Sequence, residues 1–386
     1  MSEIHNFHDI ISRHLQSVGY RNYKMNYIGS KLRLSDWIVE IITQKYKASN
    51  PSKPLSKAIF AEPLAGTGII SRKLKPFVNQ IIANDIEPYS YILLKNYIEN
   101  TKAIPNERMV FLIEELNNLS IKEQDNSNNK EQNGFIYQNY CQGSGSERLY
   151  FSDDNGKKID VIRQKLEEWK SGRGFDSHQQ KVKLTQNEFY FLLSSLLESA
   201  DKVANTASVY GAFLKKLKTS AQKNLILSPA HFPITQNGHN QENQVFKEDV
   251  NQLIKKIKGD ILYLDPPYNA RQYGANYHIL NTIALYDNFL PKGKTGLREY
   301  EKSKYCRKNE VETVFEDLIK NADFEFIFLS YNNEGLMNLD TIKRIMSKYG
   351  SYSVEKTEYQ RFKADKDKNR EHKANATMEY LHILRR

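Results

Sequence analysis

The chain has 386 residues, 39% of them hydrophobic and 26% charged, with a net charge of +10 and a pI near 9.1. The cationic excess points to a polyanionic partner, nucleic acid being the usual one, although basic proteomes produce it too. Only two cysteines, Cys141 and Cys306, occur, far apart and in no CxxC pair, and no run approaches ~20 apolar residues; a disulfide framework, a zinc site and a membrane span are disfavoured.

The segment MSEIHNFHDIISRHLQ (1–16) predicts a short amphipathic helix without an apolar signal core, as in a cytoplasmic protein. In KMNYIGSK (24–31) Gly29 permits a tight turn, from which Tyr27 and Lys31 can face one ligand; taken in isolation, a core tyrosine and a solvent-facing lysine are the better reading. LRLSDWIVEIIT (32–43) has helical apolar spacing. AIF (58–60) predicts a strand running into EPLAGTG, and QIIAND (80–85) a second strand ending on an acid, together a βαβ unit of a parallel sheet. Gly66 and Gly68 follow the first strand where a backbone must approach a ligand closely. A dinucleotide fingerprint is incomplete, because position 71 is Ser, and a P-loop fails for want of Lys-Ser/Thr. Asp85 stands where a carboxylate can bind ribose hydroxyls, although a structural turn with a strand-end acid reads the same way.

From about residue 117 the texture changes. NNLSIKEQDNSNNKEQNG (117–134) reads as a polar linker, and helices follow. KKIDVIRQKLEEW places Ile159, Ile162, Leu166 and Trp169 on one face. Thr185 and Glu188 have capping-box spacing before a stripe of Phe189, Leu192, Leu193, Leu196 and Leu197, which is best read as core. Another polar stretch, TQNGHNQENQ (235–244), closes this block. The α/β texture then resumes with buried strands in DILYL (260–264) and FEFIFLS (324–330). SYSVEKTEY (351–359) and ATMEYLHIL (376–384) predict a long β-hairpin with a charged tip. The architecture expected is one α/β domain interrupted by a helical insertion, in three segments: 1–116, 117–240 and 241–386.

The run YLDPPYNARQYGANYH (263–278) carries the chemistry. Ligands bind at the carboxyl ends of parallel strands. There Asp265 and a neighbouring carbonyl, fixed by Pro266 and Pro267, form two acceptors suited to an NH₂ group. An exocyclic adenine amine held by both hydrogens moves toward tetrahedral geometry, and its lone pair becomes available to attack a sulfonium methyl, with no metal required. Tyr268 offers a stacking face. A base in a duplex reaches such a pocket only by flipping out, at a cost of a few kcal/mol. Arg271, Tyr273 and Tyr277 follow the turn closely and are candidates, with Gln272, for holding the extruded nucleotide. The hairpin tip supplies Arg361, Lys363, Lys366, Lys368, Arg370 and Lys373 for phosphates, diluted by Asp365, Asp367 and Glu371. A solvated charged loop is the alternative there.

Taken in this order, the segments resemble the Dam-like, alpha-group N6-adenine DNA methyltransferases of restriction–modification systems. The resemblance implies a Rossmann-like S-adenosylmethionine-dependent methyltransferase sheet with a C-terminal β-hairpin, interrupted by a mainly helical target-recognition insertion. By position, Tyr27 and Lys31 contact the cofactor, as do Leu64, Ala65, Gly66, Thr67 and Gly68, while Asp85 holds its ribose and Phe246 its adenine. Asp265, Pro266, Pro267 and Tyr268 are catalytic, Asp265 also bordering the cofactor. Leu64 departs from the usual phenylalanine but keeps an apolar wall. SADKVANTASVYGAFLKK (199–216) lies where the family reads its target, and a packed helix with a basic face suits it equally. Double-stranded DNA, a cognate endonuclease and a monomeric state are implied. An RNA adenine methyltransferase and a non-catalytic nucleic-acid-binding relative are the alternatives; Asp rather than Ser before Pro-Pro-Tyr favours adenine over cytosine-N4.

Overall fold

The computed structural model describes residues 30–100, 104–121, 134–231, 242–360 and 376–386. Tyr27, the N-terminal helix expected over 1–16 and the hairpin-tip residues Arg361, Lys363, Lys366, Lys368, Arg370 and Lys373 lie outside them. The chain divides into two compact units, an α/β unit (Gly29–Leu94, Thr235–Gly274 and Tyr300–Arg386) and a helical one drawn chiefly from Lys95–Ile234 and Ala275–Glu299. The helical unit therefore takes up a second stretch, after the catalytic turn, that the expected 117–240 insertion did not include.

In the α/β unit seven strands form one sheet: β1 (Ile59–Glu62), β2 (Gln80–Asn84), β3 (Gln244–Phe246), β4 (Lys258–Leu264), β5 (Asp323–Asn332), β6 (Ser351–Gln360) and β7 (Ala376–Arg385). Their spatial order is β3-β2-β1-β4-β5-β7-β6. The first five run parallel, with Phe60 opposite Ile261 and Leu264 opposite Leu329, while β7 is antiparallel to both its neighbours. This is the mostly parallel α/β sheet expected, with the hairpin at its C-terminal side. β3 is an addition: three residues gave too little period-2 signal to be read as a strand.

The central strands are apolar over their buried stretches, Ile261–Leu264 and Phe326–Leu329, because both faces are covered there. The helix Ser35–Ser49 buries Ile38, Ile42 and Tyr46. Elsewhere Leu253, Ile254, Val311, Phe315, Leu318, Ile319, Ile342, Ile345 and Met346 form one cluster with Leu262, Ile327 and Leu329 of the sheet. The chain reverses direction of progress across the sheet between β1 and β4, so the crevice for a ligand opens at the carboxyl ends of those strands. No helix among the described residues is long and apolar enough to cross a membrane.

The helical unit is built on the two longest helices, Asp153–Lys170 and Gln186–Val203. The stripes expected on them are its core: Ile159, Ile162, Leu166, Trp169, Phe189, Leu192, Leu193, Leu196 and Leu197 are all buried. The capping box forms, with Thr185 accepting from the Glu188 amide and the Glu188 carboxylate accepting from the Thr185 amide. A two-residue antiparallel pairing, Gly174–Phe175 with Lys181–Val182, was not foreseen. Beyond Val203 the chain is irregular, and buried Asn205 organises it: its amide donates to the Leu149 and Leu214 carbonyls, and its oxygen accepts from the Lys218 amide.

Arg163 is this unit's most constrained cation. It is buried, and it donates to the Ile283 and Ala284 carbonyls at 2.8 and 3.2 Å and to Glu167 at 2.9 Å. Those carbonyls belong to the last turn of the helix His278–Leu285, whose free C=O groups need a donor. Arg163→Ala is expected to destabilise the unit by about 3 kcal/mol, since it strips partners from buried acceptors. Urea unfolding followed by tryptophan fluorescence measures this, and a loss below ~1 kcal/mol contradicts the role.

Candidate active site

The site is assembled at the carboxyl edge of the α/β unit's sheet. β1 ends at Glu62, and its buried carboxylate accepts from both the amide and the hydroxyl of Ser71 in the following helix, fastening the two ends of the glycine turn. Burial drives the Glu62 pKa from 4.5 up to about 8, against the opposing pull of those two bonds. Within the turn, Gly66 and Gly68 hold φ of 53° and 69°, a region that a side chain disfavours. The Ala65 amide donates to the Asn84 carbonyl at 3.0 Å, and the Asn84 side chain bonds the Pro63 carbonyl and both backbone groups of Glu248.

Asp85, just beyond β2, accepts from the Gly66 amide at 2.8 Å through one oxygen and from the Glu87 amide at 2.9 Å through the other. Burial raises its pKa, and these amides oppose the rise. The residue expected to hold a ribose is thus also the brace of the glycine turn. A side-chain hydrogen bond from Ser90 adds a third donor, and the carboxylate's roughly four acceptor positions still leave one for a hydroxyl. Leu64 and Phe246 are half-buried walls packed against the main core, and the Phe246 carbonyl lies 3.4 Å from the Asp85 amide.

β4 delivers the Asp-Pro-Pro-Tyr turn. Its last residue, Leu264, is buried, and Asp265 follows as the chain leaves the strand at the two prolines. Lys31, at the start of a short 3₁₀ turn capped by Ser30, places its ammonium 2.8 Å from the Asp265 carboxylate. Lys31 is 7% exposed and Asp265 20%, so the pair is held largely out of water. Burial raises the Asp265 pKa, and the Lys31 charge and hydrogen bond pull it back down. The same ammonium lies 4.7 Å from the centroid of the Tyr268 ring, and Tyr331 of β5 sits 4.8 Å from that ring, centroid to centroid. The Tyr268 carbonyl accepts from the Leu336 amide at 2.9 Å, and its buried hydroxyl faces the Asp265 carboxylate; burial, together with that charge, pushes the Tyr268 pKa up.

The loop after the turn is braced. Asn269 accepts from the Arg271 amide, the Cys306 thiol donates to the Arg271 carbonyl, and Gln272 bonds both backbone groups of the Ser303 linkage. Arg271 itself is exposed. The structure therefore brings together Lys31, Asp265, Pro266, Pro267 and Tyr268, and groups Leu64, Ala65, Gly66, Thr67 and Gly68 with Asp85 and Phe246. Tyr273 is half-buried, whereas Tyr277 is fully buried in the helical unit, its ring 6.3 Å from that of Tyr210, as a core side chain. Sequence reasoning passed over Glu62, Asn84, Tyr331 and Glu379. Glu62 and Asn84 carried a signal, a polar residue closing an apolar strand; Tyr331 and Glu379 reach the edge only through the pairing of β5 with β7.

A model of the D12 class N6 adenine-specific DNA methyltransferases matches residues 27–345. The chain is 57% identical over 360 residues to the type II methyltransferase M.NlaIII of Neisseria lactamica, across 93% of this chain and 99% of that one. It is 36% identical to the type II methyltransferase M.CviAII of Paramecium bursaria Chlorella virus 1, across 88% and 93%. It is 38% identical to the type II methyltransferase M.FokI of Planomicrobium okeanokoites over 88% of this chain, but only 50% of that protein. The fold and site thus define a methyltransferase. More closely, the chain belongs to the D12 class of N6 adenine-specific DNA methyltransferases. S-adenosylmethionine is the methyl donor. The glycine turn with positive φ and the Asp85 carboxylate beside it fit that group.

Glu62 gives a measurable signature. A carboxyl whose pKa is raised on folding favours the native state below its ordinary pKa and loses that contribution as pH rises. Glu62→Gln should therefore gain stability relative to the parent between pH 4.5 and about 8. Melting temperatures of both proteins across that range test it; a difference that stays constant with pH contradicts it.

Proposed function

We propose that the protein is the modification enzyme of a type II restriction–modification system, methylating the N6 amine of a flipped-out adenine in double-stranded DNA. The observation that carries the catalytic assignment is the Lys31–Asp265 pair at the end of β4, directly before Pro266, Pro267 and Tyr268. Type II methyltransferases among its relatives support the biological role. When bound beside the glycine turn and Asp85, S-adenosylmethionine would supply an electrophilic sulfonium-borne methyl for the amine.

The protein's part is to orient and to carry charge. Asp265 accepts a hydrogen bond from the adenine amine and then its surplus proton, which passes to water. Burial raises the Asp265 pKa, and the Lys31 ammonium beside it opposes that rise. The prolines remove conformational freedom from the turn, so the acceptors are in place before the amine arrives. Tyr268 presents its ring to the base. Leu64 to Gly68, Asp85 and Phe246 line the donor's place, and Tyr27 is assigned there by position.

The helical unit is the target reader in this scheme. Arg271 and the hairpin-tip cations Arg361, Lys363, Lys366, Lys368, Arg370 and Lys373 meet DNA phosphates. A cytoplasmic monomer with a companion endonuclease completes the picture. Labelled S-adenosylmethionine, incubated with the purified protein and a mixed-sequence duplex, should place label on adenine N6 within one sequence context. Label confined to RNA, or none at all, sinks the reading. Asp265→Ala should retain DNA affinity within a few-fold and lose methyl transfer by ~100-fold or more; retained turnover refutes the assignment of Asp265. Replacing Lys366 and Arg370 with Ala should reduce the slope of log affinity against log salt by about 1–2. An unchanged slope removes the tip from the DNA interface.

A further inference from the structure

Proline has no amide hydrogen, so Pro266 and Pro267 cannot tie the Asp-Pro-Pro-Tyr turn to its surroundings by donating. Anchoring falls to its carbonyls and side chains, and the segment that follows β5 uses both. The Leu336 amide donates to the Tyr268 carbonyl at 2.9 Å. Tyr331, next to last in β5 and 1% exposed, sets its ring 4.8 Å from the Tyr268 ring, centroid to centroid, with the planes 51° apart. Tyr331 is itself clamped. Its hydroxyl accepts from the Met337 amide at 3.3 Å. Gly335 lies so close that a Cβ there would overlap the Tyr331 ring, with two further ring carbons 2.8 Å away. The loop carrying these residues is tied at several points. The Asn332 side chain accepts from the Glu334 amide, the Gly335 amide donates to the Asn332 carbonyl, and Asn333 exchanges hydrogen bonds with Met378 of β7.

We propose that Tyr331 is a positioning residue for methyl transfer, holding the Tyr268 ring in the orientation from which it stacks on the flipped adenine. The inference rests on the reading of Tyr268 as the stacking face. An aromatic side chain turns about two bonds, and a ring free to swing loses that freedom when a base settles on it. A second ring packed against the first removes the freedom beforehand, so the base meets a fixed surface. The 51° tilt means that Tyr331 braces Tyr268 without lying flat on it. Tyr268 is half-buried, so part of its side chain is still open to a flat partner. Gly335 belongs to the same device, because its missing Cβ lets the Tyr331 ring sit where it does.

Tyr331→Leu removes the bracing ring, Tyr331→Phe keeps it without the hydroxyl, and Gly335→Ala pushes on it from the half-buried loop. Single-turnover methylation and cofactor affinity by calorimetry are measured for each, for Tyr268→Ala, and for Tyr268→Ala combined with Tyr331→Leu or Gly335→Ala. Tyr268→Ala should slow transfer by ~10–100-fold, the worth of one stacked base. Tyr331→Leu and Gly335→Ala should each slow it by ~5–50-fold with affinity for S-adenosylmethionine within ~3-fold of the parent, while Tyr331→Phe should stay within ~3-fold in rate. The combined proteins should be within ~2-fold of Tyr268→Ala alone, because a brace has nothing to hold once the ring is gone. A structural role would add its own cost there, and that result overturns the proposal. So does parental speed in Tyr331→Leu or Gly335→Ala, a loss of cofactor affinity that accounts for the slowing, or a Tyr331→Phe protein as slow as Tyr331→Leu. If Tyr331→Leu does not fold, Gly335→Ala and its combination decide by the same comparison. The parent is assayed first on the same duplex. Absence of adenine methylation there, or a Tyr268→Ala protein as fast as an active parent, faults the reading of the site and the proposal with it; a slowed Tyr268→Ala beside a parental Tyr331→Leu faults Tyr331 alone.

Discussion

A carboxylate can serve as an acceptor for a neutral amine only while it is ionised, and it can be held rigid only by leaving water. These demands conflict, because burial favours the protonated acid. The Lys31–Asp265 contact works against that penalty, since the ammonium opposes the rise that burial imposes on the carboxyl's pKa. One partner comes from a 3₁₀ turn ahead of the first helix and the other from the end of a central strand. The two meet only if the sheet has the order that sets β4 beside β1.

The same edge collects further acids. Glu62 closes β1, Asp85 follows β2, and Glu379 enters from the antiparallel β7. Their duties differ by partner. Glu62 is engaged by the Ser71 amide and hydroxyl, which makes it a fastener of the glycine turn. Asp85 is divided between two amides, the Ser90 side chain and one open acceptor position, which couples the shape of the glycine turn to whatever that position holds. Acids of one type thus meet different surroundings according to which donors the backbone sets beside them.

Much of this was legible before any coordinates. Continuous apolar runs located β4 and β5, period-2 alternation located the hairpin, and 3.6-residue stripes located the helices Asp153–Lys170 and Gln186–Val203. Asp-Pro-Pro-Tyr was readable because proline restricts the backbone in a way that sequence states outright. Other features depend on distant pairing. Nothing local in QVF marks an edge strand, and Glu379 in an alternating strand looks like any solvent-facing acid until Asn332 is known to lie opposite it. Tyr277 shows the reverse error. Its nearness in sequence to the catalytic turn recommended it for the nucleotide, yet one helical turn carries it into the core beside Tyr210.

The position of β7 has a consequence for biosynthesis. This strand is interior, hydrogen-bonded to β5 on one side and β6 on the other, although it is made from residues 376–385. β1 and β4, likewise neighbours, are roughly two hundred positions apart in the chain. Until residues 376–385 are made, the flank of β5 that β7 covers is unpaired. Sheets built on non-local pairings close slowly, and an unpaired strand edge is open to edge-to-edge association meanwhile.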